Sequence, residues 1–101
     1  MYVTQHASDR LFARASGLGP RMAIAIRDRM EEVPGETGSV AYIVADLPVP
    51  VGSIDGSNGD LLIAIAIDGS VETVYFRRRD QDMSAAYFGA RIVVDLRGDS
   101  Q

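Results

Sequence analysis

The chain has 101 residues, of which 47% are hydrophobic, a formal net charge of −4 and no cysteine. This length and composition predict a single domain over residues 1–101 with its own hydrophobic core. The absence of cysteine excludes disulfides and thiolate metal sites, and with one histidine we expect no metal and no cofactor. No apolar run approaches the about 18 to 20 residues that a membrane-spanning helix needs, so the sequence predicts a cytoplasmic protein with no membrane partner.

The charged residues are segregated along the chain. There are five arginines and two acids from Met1 to Arg29, eight acids and no base from Met30 to Phe76, and five arginines and four acids from Arg77 onward. A negative net charge argues against general nucleic-acid binding, but a basic face can form on an acidic protein if the two ends of the chain meet. All ten basic residues are arginine. This usage is typical of a GC-rich genome and predicts an actinobacterial or phage origin.

The first third of the chain predicts a short strand followed by two helices. Tyr2–Gln5 alternates in polarity as a strand does. Ser8 is a favourable N-cap for a first helix that runs to about Ser16, and Pro20 can begin a second helix over 20–33. The apolar residues of this second helix are spaced four, four and three residues apart, which predicts one buried helix face. They are Met22, Ile26, Met30 and Val33.

The rest of the chain is rich in strand-forming residues. Strands are predicted over 39–47, 61–67, 71–76 and 90–96. Asp68-Gly69 predicts a tight hairpin, and the nearly continuous apolar run at 61–67 predicts a central strand. We expect a mobile loop over 48–59 and a connection with one helical turn over 77–89. The predicted fold is α+β, with a short N-terminal strand, two helices and a four-stranded, mainly antiparallel sheet, in the order β-α-α-β-β-β-β.

The strongest candidate for chemistry is the strand-to-helix junction that carries the only histidine. Arg10 and Arg14 follow His6 at intervals of four, so they share one helix face with the histidine beside its first turn. Histidine titrates near neutral pH, at about 6.5 when unperturbed, and arginine binds phosphate with two parallel hydrogen bonds. The alternative is structural: His6 can form a hydrogen bond at the helix start, and the arginines can pair with acids such as Asp9 or Glu31.

The predicted order of elements, together with five residues at the strand-to-helix junction, resembles the RelE/ParE-like toxin superfamily. The residues are Thr4, His6, Ala7, Arg10 and Arg14. The chain is most similar to small phage and bacterial domains beside that superfamily, in which a strand ending in Thr-x-His-Ala opens a helix with arginines four and eight residues later. The resemblance implies a RelE-like fold and RNA cleavage by attack of the ribose 2′-hydroxyl on the adjacent phosphate. His6, Arg10 and Arg14 would then be catalytic, and RNA or the ribosome would be the partner.

A second part of the resemblance is the strand at 71–76 and the arginines that follow it. Thr73 and the triple arginine Arg77, Arg78 and Arg79 match the penultimate strand of the family, which implies that they bind phosphate. Tyr75 can stack on a base, as can Tyr87. The structural alternative is that the triple arginine is a solvated strand end that prevents edge pairing, and that the tyrosines are sheet residues.

Three features depart from the family and keep other functions open. RelE-type nucleases are strongly basic, whereas this chain is acidic and lysine-free, and it shows no C-terminal helix. Either the chain is an active toxin, or it is an inactive descendant that still binds RNA. The alternative is a non-catalytic module of phage or bacterial origin that binds a host protein through the acidic region 30–76. A further alternative is a homodimer formed by exposed strand edges.

Overall fold

A computed structural model describes residues 1–14, 19–52 and 58–97 of the chain. These residues form a sheet and three helices, which confirms the α+β class. In chain order the elements are β1 (Tyr2–Val3), α1 (Gln5–Arg14), α2 (Pro20–Glu32), β2 (Ser39–Gly52), β3 (Asn58–Ile67), β4 (Ser70–Arg77), α3 (Ala85–Phe88) and β5 (Ile92–Asp95).

The sheet contains five strands in the order β1-β4-β3-β2-β5. The pairs β2–β3 and β3–β4 are antiparallel, whereas β1 is parallel to β4 and β5 is parallel to β2. The prediction of a four-stranded, mainly antiparallel sheet is therefore not confirmed. Tight turns determine the direction of the strands they join, but β1 and β5 are reached through long crossovers, and parallel pairing requires such connections.

The strand β3 lies at the centre of the sheet, as the sequence predicts. Its alternate residues are buried on both faces, because Leu62 lies against the helices and Ile63 on the other side. The turn to β4 has φ angles of 51° at Asp68 and 83° at Gly69, the two positive values of a type I′ hairpin. The Asp68-Gly69 prediction is confirmed.

The two faces of the sheet carry cores of different size. On the helix face, side chains from α1, α2 and β1–β4 form the main core, which includes Leu11, Met30 and Tyr42. On the second face, Ile43, Leu61 and Ile63 form a smaller cluster that the segment 78–91, with its short helix α3, partly covers. The helical turn predicted between the last two strands is thus confirmed.

The helix α1 begins at Gln5, four residues earlier than predicted, because its N-cap is Thr4 and not Ser8. The Thr4 Oγ1 atom accepts a hydrogen bond from the backbone N–H of Ala7 at 3.1 Å and donates one to the carbonyl oxygen of Val71 at 2.8 Å. The prediction of Ser8 as the N-cap is wrong: its N–H already donates to the Thr4 carbonyl at 2.9 Å, inside the first turn. Thr4 therefore caps α1 and joins it to β4.

The buried face of α2 differs by one residue from the predicted one. Ala23, Ile26 and Met30 are buried against the sheet, whereas Met22 is 43% exposed. An α-helix turns about 100° per residue, so Met22 and Met30 point about 80° apart and only one of them can face the core centrally. The prediction that Met22 is buried is wrong, and the one for Ile26 and Met30 is confirmed.

The hairpin of β2 and β3 is longer than the sequence predicts. Val51 pairs with Gly59 and Gly52 with Asn58, so the predicted loop over 48–59 is strand at both ends, and residues 53–57 lie outside the described residues. The start of this loop was predicted wrongly because Pro48 and Pro50 are typical of loops, whereas both lie within β2. Among the described residues, β5 pairs with positions 40–43 of β2 and no strand pairs with the same edge further along, and proline is tolerated at such an edge.

Tyr42 offers a test of the packing between α2 and the sheet. Its side chain is 1% exposed, and its hydroxyl has no hydrogen-bond partner among the described residues. Burial raises the pKa of Tyr42, and the carboxylate of Glu36 raises it further, while Arg91 lowers it. Because an unpaired buried hydroxyl is costly, we expect Tyr42→Phe to raise the free energy of unfolding by about 1 kcal/mol in urea titrations.

The control for this prediction is Tyr75→Phe, which removes a hydroxyl from a half-buried tyrosine on the second face. We expect that variant to change the free energy of unfolding by less than about 0.5 kcal/mol. A loss of stability in Tyr42→Phe would show that an ordered water satisfies the hydroxyl and would contradict the prediction.

Candidate nucleic-acid interface

The junction between β1 and α1 brings His6 and Arg10 to the surface. Ala7 and Leu11 are fully buried against the sheet, so the residues one position before each of them turn towards solvent. His6 and Arg10 are both exposed and lie one helical turn apart. Arg14 is the last residue of α1, and its side chain lies outside the described residues. We call His6 and Arg10 the α1 basic face.

His6 lies in the first turn of α1, at the positive end of the helix, and Arg10 lies one turn further along. The first-turn N–H groups of an α-helix have no acceptor within the helix, and the first turn of α1 contains no acidic residue. Asp9, the acid next to Arg10, accepts a hydrogen bond from Nε2 of Gln5 at 2.8 Å. This end of the helix can therefore accept an anion.

Most described arginine side chains are already engaged by other groups. In the described part of the chain, only the guanidinium groups of Arg10 and Arg21 have neither an ion pair nor a hydrogen bond. Arg29, for example, donates from Nη2 to the carbonyl oxygen of Leu96. Arg10 is thus available to a phosphate without breaking an existing contact.

Arg77, predicted to bind phosphate, is instead buried under the segment 78–91. Its side chain is 8% exposed, and its Nε and Nη2 atoms donate to the carbonyl oxygen of Asp82 at 2.9 and 2.7 Å. Its guanidinium carbon lies 3.6 Å from the ring centroid of Tyr87, which is a stacking distance, and 5.8 Å from that of Phe88. Arg77 therefore fastens this segment to the second face.

Arg78 and Arg79 are exposed and form ion pairs. Nε of Arg78 lies 3.2 Å from Oδ1 of Asp80, and Nη2 of Arg79 lies 3.1 Å from Oδ1 of Asp46. Asp46 lies 33 residues before Arg79 in the chain, so no local sequence pattern predicts this pair. The contact indicates that Arg79 ties the end of β4 to β2.

Arg97 shares the carboxylate of Asp46 and completes a small ion-pair network after β5. Its Nη1 lies 3.0 Å from Oδ1 of Asp46, and its Nε and Nη2 donate to the two carboxylate oxygens of Asp95 at 3.0 and 2.8 Å. The hydrogen bonds from Arg97 hold the pKa of Asp95 below its usual range, and the same contacts raise the pKa of Arg97. The positive charge at this end of the sheet is thus largely compensated.

Thr73 and Tyr75 lie on the second face and are half-buried. In the register of the sheet, Thr73 is opposite Ile65 and Tyr75 is opposite Ile63. Burial raises the pKa of Tyr75, as does the neighbouring Tyr87, while Arg77 lowers it. The structure therefore separates the predicted site residues: Thr73, Tyr75 and Arg77 lie on the opposite side of the sheet from the α1 basic face.

Comparison with family models, curated proteins and solved structures found no match to this chain. Among the described residues, no helix is both long and apolar enough to cross a membrane. The same residues contain no group of three or more histidine or acidic side chains placed to hold a metal ion.

Proposed function

We propose that this chain is a RelE-like domain that binds RNA through the α1 basic face. The observation that carries the proposal is the exposure of His6 and Arg10 one turn apart on α1, where Arg10 forms no ion pair with any described residue. An arginine that has no carboxylate partner can grip a phosphate with two parallel hydrogen bonds. The helix end adds a favourable field for an anion that also reaches His6 in the first turn.

The motif Thr-x-His-Ala supports this assignment because its other members have structural roles. Thr4 caps α1 and forms a hydrogen bond to the Val71 carbonyl oxygen, and Ala7 is fully buried on the side of α1 that faces the sheet. His6 and Arg10 have no such role, and both face solvent. The order of a first strand, two helices and an antiparallel run of β2, β3 and β4 also agrees with the order on which the RelE resemblance rests.

Binding is the part of this function that the geometry supports best. Cleavage by the 2′-hydroxyl needs one group that takes a proton, one that gives a proton and cations that stabilise the charged phosphorane. His6 can carry a proton, and Arg10 and Arg14 can supply the cations. We leave Arg77, Arg78 and Arg79 out of this set, since they are engaged by the Asp82 carbonyl oxygen, Asp80 and Asp46 respectively.

The test is fluorescence anisotropy with a labelled 20-nucleotide single-stranded RNA at several salt concentrations. We expect Arg10→Ala to weaken binding about threefold to tenfold and to reduce the slope of log K against log salt by about 0.7, the value for one lost phosphate contact. His6→Ala should weaken binding by a smaller factor. The same RNA, run on a denaturing gel, reports cleavage by the wild type and its loss in His6→Ala.

The matched control is Arg78→Ala, which removes the same charge from an exposed arginine that pairs with Asp80. We expect its RNA affinity to stay within about twofold of the wild type, because Asp80 already compensates the charge of this arginine. Equal weakening by Arg10→Ala and Arg78→Ala would reveal attraction by net charge alone, and the absence of RNA binding in the wild type would end the proposal.

A further inference from the structure

A cleft of about 670 Å³ lies on the outer side of α2, between this helix and the residue that follows β5. Its position is separate from the α1 basic face and from the segment 78–91. The residues that line it are Ala25, Asp28, Arg29, Glu32, Val33, Pro34 and Leu96.

The cleft combines an apolar floor with an acidic wall. Val33 and Leu96 are half-buried and pack against the main core, so their outer surfaces form a fixed apolar floor, with Pro34 exposed beside them. The wall comes from α2, where Asp28 and Glu32 lie one turn apart on the same side. Such a surface offers contacts both to an apolar side chain and to a cation.

The carboxylates of this wall are accessible. The side chain of Asp28 is 56% exposed and shares one contact, at 3.5 Å, with Arg27. Glu32 is exposed and forms no ion pair with any described residue. Arg29 also lines the cleft, but its guanidinium donates to the Leu96 carbonyl, which holds it against the wall. Asp28 stays more than half exposed beside Arg27, so both carboxylates reach the open part of the cleft, and its lining side chains (Asp28, Arg29 and Glu32) carry a formal charge of −1.

We infer that this cleft binds a segment of another protein that carries a lysine or arginine next to an apolar side chain. Charge complementarity selects this occupant: the cation would lie between Asp28 and Glu32, and the apolar side chain would contact Val33 and Leu96. The net charge of −4 steers cationic partners towards the protein, and the cleft supplies the specific contacts. This inference does not depend on RNA binding, because α1 contributes no residue to the cleft.

The probe is a fluorescein-labelled 12-residue peptide of lysine and leucine, compared with one of glutamate and leucine and one of lysine and serine. We expect the lysine–leucine peptide to bind the wild type at least about tenfold more tightly than either other peptide, since both charge and apolar contact are required. In NMR titrations the amide signals of Ala25, Val33 and Leu96 should shift.

Two variants locate the binding. We expect the double variant Asp28→Asn, Glu32→Gln to weaken binding about tenfold, and Ala25→Phe, which fills the cleft from an exposed helix position, to do the same. The matched control is Glu72→Gln, an exposed acid on β4, which should leave affinity within about twofold. His6→Ala should also leave it unchanged, which separates this test from the RNA proposal.

Three results would overturn the inference. Equal weakening by Glu72→Gln would indicate attraction by net charge. Binding of the lysine–serine peptide as tightly as the lysine–leucine peptide would exclude an apolar contact. A wild type that dimerises in sedimentation while Ala25→Phe stays monomeric would make a second copy of this chain the occupant.

Discussion

Arg77→Ala should lower the free energy of unfolding by about 3 kcal/mol, the largest effect that we expect from any arginine of this chain. The substitution removes both hydrogen bonds from the guanidinium to the Asp82 carbonyl and the stack on Tyr87. It also leaves a space beneath the segment 78–91. Urea titrations followed by far-ultraviolet circular dichroism measure the change.

The neighbouring arginines provide the controls for this prediction. Arg78→Ala removes the same charge from an exposed side chain and should cost less than about 0.5 kcal/mol. Arg77→Lys keeps the charge but loses the planar fork and the stack, so we expect about half of the loss seen in Arg77→Ala. If Arg77→Ala and Arg78→Ala were equally stable, Arg77 would not be the anchor of the segment.

Thr4→Val should lower the free energy of unfolding by about 2 kcal/mol, of which about half comes from the lost helix cap and half from the lost bond to β4. Valine has nearly the same shape as threonine but cannot accept from the Ala7 N–H or donate to the Val71 carbonyl. Thermal unfolding followed by circular dichroism gives the change in Tm, and urea titration gives the free energy.

The comparison for Thr4→Val is Ser8→Ala, at the position that the sequence predicted as the cap. Because Ser8 lies within the first turns of α1, we expect its substitution to change stability by less than about 0.5 kcal/mol. A larger loss in Ser8→Ala than in Thr4→Val would restore Ser8 as the cap and contradict the helix start described above.

The sequence predicts the elements of this fold better than their arrangement. Hydrophobic period and turn residues are local signals, so they located α2, β3 and the Asp68-Gly69 turn. They do not encode the direction of a strand that is reached through a long crossover, and for this reason the parallel pairing of β5 with β2 was not predicted. The start of α1 was missed because Thr4 and Ser8 are both favourable caps and only the contact with Val71 distinguishes them.

The candidate site shows the same limit. Three consecutive arginines look alike in the sequence, yet Arg77 is buried under Tyr87 while Arg78 and Arg79 face solvent and pair with acids. The alternation of side chains along β4 places Arg77 on the second face. Its neighbour there, Tyr87, belongs to the segment 78–91, and no local sequence pattern predicts the path of that segment. By contrast, the spacing of His6 and Arg10 is enough to place them on one side of α1, where the structure has them.

The parallel pairing of β1 with β4 has a consequence for the order in which the protein assembles. The antiparallel strands β2, β3 and β4 follow one another in the chain. The paired residues Tyr2 and Ser70 of β1 and β4, by contrast, are separated by most of the length of the chain. Closing so long a loop costs more conformational entropy than closing a hairpin, so we expect the three-stranded unit to form first and β1 to join it late. We then expect the two-residue β1 and the start of α1 to be among the first parts to open in the native state, which amide hydrogen exchange would measure. The surface that we propose for RNA can therefore loosen while the centre of the sheet stays folded.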